Sequence, residues 1–229
     1  MRIGLLLIAT GKYDIFLQPL IDSVDKWFFP GDNITIYLFT DKIDLKLIAS
    51  DRINFVICPI PHKTFPFATL YRYKYFTAYS HLIDTQYLFY CDVDMKFVSP
   101  VGREILGDIV CVQHPGFYKG GWGSEGCSKM STAYLPPEMR NGYKAGGFQG
   151  GRRLPYLRMS AELDKRIDTD EARGVMAEWH DETHLNWYLQ MKAKNVKTLN
   201  PAYCYPESWN IPFSRKLLAL DKNHKAIRE

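Results

Sequence analysis

Two aspartates one residue apart follow an apolar run in Tyr87-Leu88-Phe89-Tyr90-Cys91-Asp92-Val93-Asp94-Met95-Lys96-Phe97. The run reads as a buried strand. In an extended segment, side chains at i and i+2 share a face, so Asp92 and Asp94 are expected to point at one place where the strand emerges. Two close carboxylates repel each other unless a proton or a cation lies between them. A hard divalent cation with oxygen ligands resolves the repulsion and leaves coordination sites for phosphate oxygens. The plain alternative is a solvated turn after a strand.

A second cluster lies at Trp179-His180-Asp181-Glu182-Thr183-His184. It gathers an aromatic ring, two imidazoles and two carboxylates at an expected helix start. His180 and His184 are four apart, a spacing similar to the zinc-peptidase helix His-Glu-x-x-His. Asp181, however, follows the first histidine, and Glu182 comes one place late for a base beside a metal-bound water. Acidic residues favoured by the dipole at a helix N-terminus are a simpler account. A third reading sets Glu182 against a developing oxocarbenium-like centre, by charge or by covalent capture, with Trp179 walling off water.

These residues need a scaffold. Ile3–Ala9 is apolar throughout and reads as a central parallel strand, with Thr10–Tyr13 as the turn after it. Helix-spaced apolar residues run from Ile15 to Phe28, with Pro19 in the first turn. Strands are expected at Ile34–Phe39, Ile53–Ile60 and Ile109–Gln113, and a helix over Leu70–Ile83. Residues 120–140, rich in Gly, Ser, Pro and charge, read as a long loop. Tyr143–Gly151 reads as a strand whose glycines mark close approach of a ligand or backbone, or a bulge. It matches neither a P-loop nor a dinucleotide fingerprint. Helices are expected from Pro155 to about Ile167 and over Asp181–Lys192. The alternation predicts a single α/β domain over 1–229, an open sheet with helices on both faces. Ligands in such sheets bind beyond the carboxyl ends of the strands, where Thr10–Tyr13 and Asp92–Asp94 both fall.

The composition, 46% apolar and 24% charged, is that of a soluble globular protein. The net charge of +4 is spread over Lys63, Arg72, Arg152, Arg153 and the Lys222–Arg228 tail. That argues against a nucleic-acid face and leaves room for a local positive field around an anionic small molecule. The 15 Tyr and 5 Trp serve mainly as core, with some free to form platforms for sugar faces. Five cysteines without a framework spacing predict reduced, buried thiols and a cytoplasmic setting. The Ile3–Ala9 run is too short to span a membrane and has no cleavage pattern after it. Taken as a whole gene product, the chain is expected to have no signal peptide and no integral membrane segment.

Five motifs in order carry a family resemblance. They are Tyr-Cys-Asp-Val-Asp-Met at 90–95, His-Pro-Gly-Phe-Tyr at 114–118, Gly-Gly-Phe-x-Gly-Gly at 146–151, Trp-His-Asp-Glu-x-His-Leu-Asn at 179–186 and Lys-Asn-His-x-Ala-x-Arg at 222–228. Over nearly its whole length the chain resembles the family-six retaining glycosyltransferases, which include the histo-blood-group A and B transferases and the α-1,3-galactosyltransferases. The resemblance implies a GT-A fold, with 1–97 as the nucleotide-binding half and 98–229 as the acceptor-binding and catalytic half. It implies a UDP-sugar donor, an oligosaccharide acceptor, and Mn²⁺ or another divalent cation held by Asp92 and Asp94. On the donor side it implies Ala9, Tyr13, Arg72, Val93, Ala145, Gly146, Gly147, Asp181, Lys222 and Arg228. On the acceptor side it implies His114 and Trp179, with Glu182 as the catalytic carboxylate. Glycine at 147 implies UDP-GalNAc, since bulkier residues there favour UDP-Gal. The lack of a stem points to a bacterial or viral type. Many bacterial relatives carry Asn-x-Asn, whereas this chain keeps both aspartates, so the resemblance implies metal dependence.

Overall fold

The computed structural model describes residues 1–228, with Arg228 described by its backbone alone. The apolar runs form β1 (Ile3–Ile8), β2 (Ile34–Thr40), β3 (Ile53–Pro59) and β4 (Tyr87–Cys91). α1 (Leu17–Trp27) joins β1 to β2, and the short α2 (Phe67–Leu70) and α3 (Arg72–Ala78) join β3 to β4. After β5 (Met95–Phe97) come β6 (Ile109–Gln113) and β7 (Lys144–Arg152). Then follow α4 (Arg153–Ala172), α5 (His180–Met191), β8 (Val196–Leu199), β9 (Tyr205–Pro206), β10 (Leu217–Ala219) and α6 (His224–Arg228).

The central sheet has the order β3-β2-β1-β4-β7-β6-β8, and β5-β10-β9 form a small second sheet. Within the large sheet only β7 runs against its neighbours. The architecture is the single α/β domain with a mainly parallel mixed sheet that the sequence predicts. One face of the sheet packs α1 through Leu17, Leu20, Ile21 and Val24. The other packs Tyr73 and Phe76 of α3, Tyr156 and Leu163 of α4, and Leu185 of α5. Strands buried on both faces need the continuous apolar runs seen in β1 and β4.

Two expectations change. Residues 70–83 do not form one helix. The backbone leaves helical geometry at Tyr71 (φ −85°, ψ 7°), and a 3₁₀ turn at Ser80–Leu82 ends the segment. The break turns Arg72 inward, where it is only 3% exposed. Helix α4 outruns Ile167 because its last turns serve the neighbouring loop: Ser131 Oγ and Thr132 N–H donate to Asp170 at 2.5 and 2.8 Å. That loop is ordered, held by a third cluster of Trp122, Cys127, Ala133, Leu135 and Tyr143. All five cysteines are free and buried, as expected. Among the described residues no helix is long and apolar enough to cross a membrane.

The glycines of β7 serve both roles raised from the sequence. The register against β6 shifts between Cys111 and Val112, so residues 146–148 bulge out of that pairing. Gly150, by contrast, lies in regular pairing with Phe89. A methyl there would strike the Leu88 carbonyl oxygen and the Phe89 ring. Backbone cannot yield as a flexible side chain does, so Gly150→Ala is expected to lose at least about 3 kcal/mol in denaturant unfolding. Gly102→Ala meets nothing nearer than 3.6 Å and so lacks that clash.

Candidate active site

A pocket opens where β1 and β4 end. Ile8, Thr10, Tyr13, Tyr90, Asp92, Val93, Asp94, Lys222 and Ile227 contribute to its wall. The loop after β3 supplies His62, Lys63, Thr64 and Phe65. His62 Nδ1 lies 3.1 Å from Thr10 Oγ1, which ties this loop to the end of β1. The position beyond carboxyl strand ends is the one expected for this sheet. Ala9 is fully buried, and its neighbours Ile8 and Thr10 line the pocket in its place.

Asp92 and Asp94 do not occupy an extended segment. β4 ends at Cys91, and residues 92–94 form a tight turn before β5. The carboxylates share the pocket but face different partners. Asp92 Oδ1 accepts from Tyr90 Oη at 2.5 Å and from Arg72 Nη2 at 3.4 Å. Asp94 pairs with the ammonium of Lys222, which brings the C-terminal segment over the pocket. Lys12 Nζ holds the same segment by the Ala226 carbonyl at 3.0 Å. The expected role of the Arg228 side chain lies outside the described residues.

Arg72 lies behind the pocket wall as a buried hub. Its Nη1 donates to the Gly146 carbonyl at 2.8 Å, and its Nε lies 3.1 Å from Asp181 Oδ2. The guanidinium also packs 4.3 Å from the Tyr90 ring centre. One cation thus joins Asp92 on the pocket side to Asp181 at the start of α5. Burial pushes the Asp181 pKa up to about 6 against the pull of Arg72.

Glu182 follows Asp181 and turns toward β7. Its Oε2 accepts from Gly146 N–H at 2.7 Å. Loss of solvent pushes its pKa up to about 7, and the Gly146 hydrogen bond opposes that rise. Ala145, Gly146 and Gly147 lie between the acids. A methyl at Gly146 would lie 3.3 Å from Asp181 Oδ2, and one at Gly147 would lie 3.0 Å from Asp92 Oδ2. Bare backbone at both places lets three carboxylates close on β7.

His114 lies beyond Tyr143, their ring centres 5.7 Å apart. Burial lowers the His114 pKa to about 4, so the ring is neutral near pH 7. Its Nδ1 accepts from Gly116 N–H at 3.0 Å, so the ring hydrogen sits on Nε2 and can be donated. Trp179 is 53% exposed, and its indole N–H is tied to the Gly123 carbonyl at 2.6 Å. The two histidines of the zinc-like spacing diverge. His180 begins α5 with φ +49° and meets the Phe65 ring, whereas His184 is buried 3.6 Å from Asp170.

Sequence reasoning passed over two parts of this site. The His62–Phe65 loop carried the same signal as Thr10–Tyr13, polar residues just past a strand end. Tyr143 looked like the start of a strand, yet its ring packs against Phe117, Trp122 and His114 beside Glu182.

A strand-end pocket with an acid pair, a basic tail over it and a carboxylate set deeper belongs to a glycosyltransferase of GT-A-like fold. A family model described as Glycosyltransferase family 6 matches residues 1–229. The chain is 32% identical to histo-blood group ABO system transferase 1 of Rattus norvegicus, over 99% of this chain and 68% of that protein. It is 29% identical to globoside alpha-1,3-N-acetylgalactosaminyltransferase 1 of Homo sapiens, over 100% and 69%. It is 26% identical to O-antigen biosynthesis glycosyltransferase WbnI of Escherichia coli, over 99% and 97%. The chain belongs to glycosyltransferase family 6, a family of retaining hexosyltransferases.

The raised Glu182 pKa sets a stability test. Its ordinary value is 4.5, so between 4.5 and about 7 the folded state holds the proton more tightly than the unfolded chain. This residue's contribution to stability therefore falls as pH rises through that window. Glu182→Gln should melt above wild type at pH 8, with the gap closing toward pH 5. Equal melting temperatures at both values would contradict a destabilised carboxylate.

Proposed function

We propose that the chain is an α-1,3-N-acetylgalactosaminyltransferase that uses UDP-GalNAc and a divalent cation, with Mn²⁺ as the first candidate. The observation that carries this reading is the Arg72 bridge from Asp92 to Asp181, which links the pocket wall to the Glu182 carboxylate. Tyr13, Val93 and the end of β1 take the nucleoside end, by analogy with the family pattern. Lys222 and Arg228 serve the diphosphate. Residues 1–97 supply most of the pocket wall, and residues 98–229 add Gly146, Gly147, Asp181 and the tail to the donor side and supply the acceptor side.

The donor set fits a hard cation. Asp92 and Asp94 give carboxylate oxygens at one pocket. Among the described residues no third His, Cys, Asp or Glu joins them in a cluster. Phosphate oxygens and water would complete the coordination, as is usual where a cation serves a diphosphate. When bound, the ion neutralises the leaving diphosphate. Lys222 now neutralises Asp94, and its ammonium would serve phosphate when a cation takes over that role.

Transfer breaks the bond from sugar C1 to the phosphate oxygen and forms one from C1 to the acceptor oxygen, with the hydroxyl proton passing to the departing diphosphate. Glu182 stabilises the positive charge that develops at C1, or captures it transiently. His114, with Nε2–H as donor, and the exposed Trp179 receive an acceptor that ends in β-galactose, with or without an α-1,2-fucose. Glycine at 147 supports UDP-GalNAc over the alternative, UDP-Gal. Five buried free thiols support a reducing, cytoplasmic setting.

The test is UDP release from UDP-GalNAc and from UDP-Gal, with Mn²⁺ or EDTA, with and without 2′-fucosyllactose. Release that needs metal, rises with acceptor and is faster with UDP-GalNAc is expected. Equal rates in EDTA would remove the cation from the reading, and faster turnover of UDP-Gal would reverse the donor. Glu182→Gln should lower turnover by about 100-fold or more with UDP affinity nearly unchanged. In the wild type, turnover should climb with pH through about 7 as Glu182 ionises.

A further inference from the structure

Gly147 invites a reading by its sugar pocket alone, but its immediate neighbour is the acid pair. The Gly147 carbonyl accepts from Asp92 N–H at 2.9 Å, so the two backbones are locked together. A methyl added at Gly147 would lie 3.0 Å from Asp92 Oδ2, against 3.5 Å from Cys204 Sγ and from Met95 Sδ. The sulfur contacts are ordinary van der Waals distances. The oxygen contact is not, and the oxygen would have to give way by a few tenths of an ångström.

The other side of the carboxylate is already clamped. Tyr90 Oη and Arg72 Nη2 both hold Oδ1, and Arg72 is itself fixed by Gly146 and Asp181. Oδ1 therefore cannot retreat freely. Oδ2, the oxygen over Gly147, is the one left to meet a cation.

We propose that Gly147 is a positioning residue for the cation site: its bare backbone, opposite the Tyr90 clamp, fixes where Asp92 Oδ2 stands. A side chain at 147 then changes cation binding as well as the room for the donor sugar. The position that tunes donor choice and the position that tunes the cation are sterically one. This inference rests on the cation reading above.

The experiment uses UDP, which lacks the donor hexose, so the pocket for that hexose plays no part. Mn²⁺ is titrated into the whole chain with UDP, and free Mn²⁺ is read from its electron paramagnetic resonance signal. Gly147→Ala is expected to weaken Mn²⁺ about ten-fold, the usual scale for residues that orient a metal ligand. Tyr90→Phe, which opens the clamp from the other side, should weaken it several-fold. In an Asp92→Asn background neither change should matter further. Gly102→Ala serves as an unaffected control.

Wild-type Mn²⁺ affinity in a folded Gly147→Ala overturns the proposal. So does a full ten-fold effect that persists in Asp92→Asn. Should Gly147→Ala not fold, unchanged affinity in Tyr90→Phe overturns it instead. A wild type that takes up no Mn²⁺ with UDP overturns the cation reading itself, and this inference with it.

Discussion

The site is organised by one buried charge. Arg72 is almost wholly out of water, and a guanidinium cannot shed its proton to escape the cost. It must therefore be surrounded by acceptors with good geometry. The fold supplies them from four elements: the turn after β4, the strand β7, the first turn of α5 and, through the Thr69 carbonyl, α2. Removing any one acceptor would leave charge uncompensated in a poor dielectric, where such losses are large.

Around that hub, strand β7 behaves as a seat for acids. β7 is the only reversed strand of the large sheet, and it enters the site from the side opposite to β4. Its glycines let Asp92, Asp181 and Glu182 lie against peptide groups rather than against side chains. Peptide N–H groups are donors that never titrate, and Gly146 uses one on Glu182. Burial away from solvent makes Asp181 and Glu182 both resist ionisation, their mutual repulsion adds to that, and Arg72 opposes it.

Much of this was legible in the chain. The runs Ile3–Ile8, Ile34–Thr40 and Tyr87–Cys91 are apolar on both faces because both faces are covered, so their burial and order could be read directly. The chemistry at 92–94 and 179–184 showed in residue type and spacing. What spacing could not show was conformation at single residues. Asp92–Asp94 reads equally as strand or turn, and only the pairing with Arg72 and Lys222 tells them apart. Tyr71 is neither a glycine nor a proline, so the break there left no local mark. Val196–Leu199 and Leu217–Ala219 are too short to carry a period. Arg72 itself is one arginine among many until distant segments fold around it, and resemblance rather than pattern pointed to it.

The acids at the pocket have one further property. Asp92 is answered by Tyr90 and Arg72, Asp94 by Lys222, and Asp181 by Arg72. Arg72 answers two of these acids with a single charge, so two cations meet three carboxylates. Pairing fixes where each acid stands without neutralising the set. The pocket is thus steered by its ion pairs yet left short of positive charge, which keeps this wall attractive to cations.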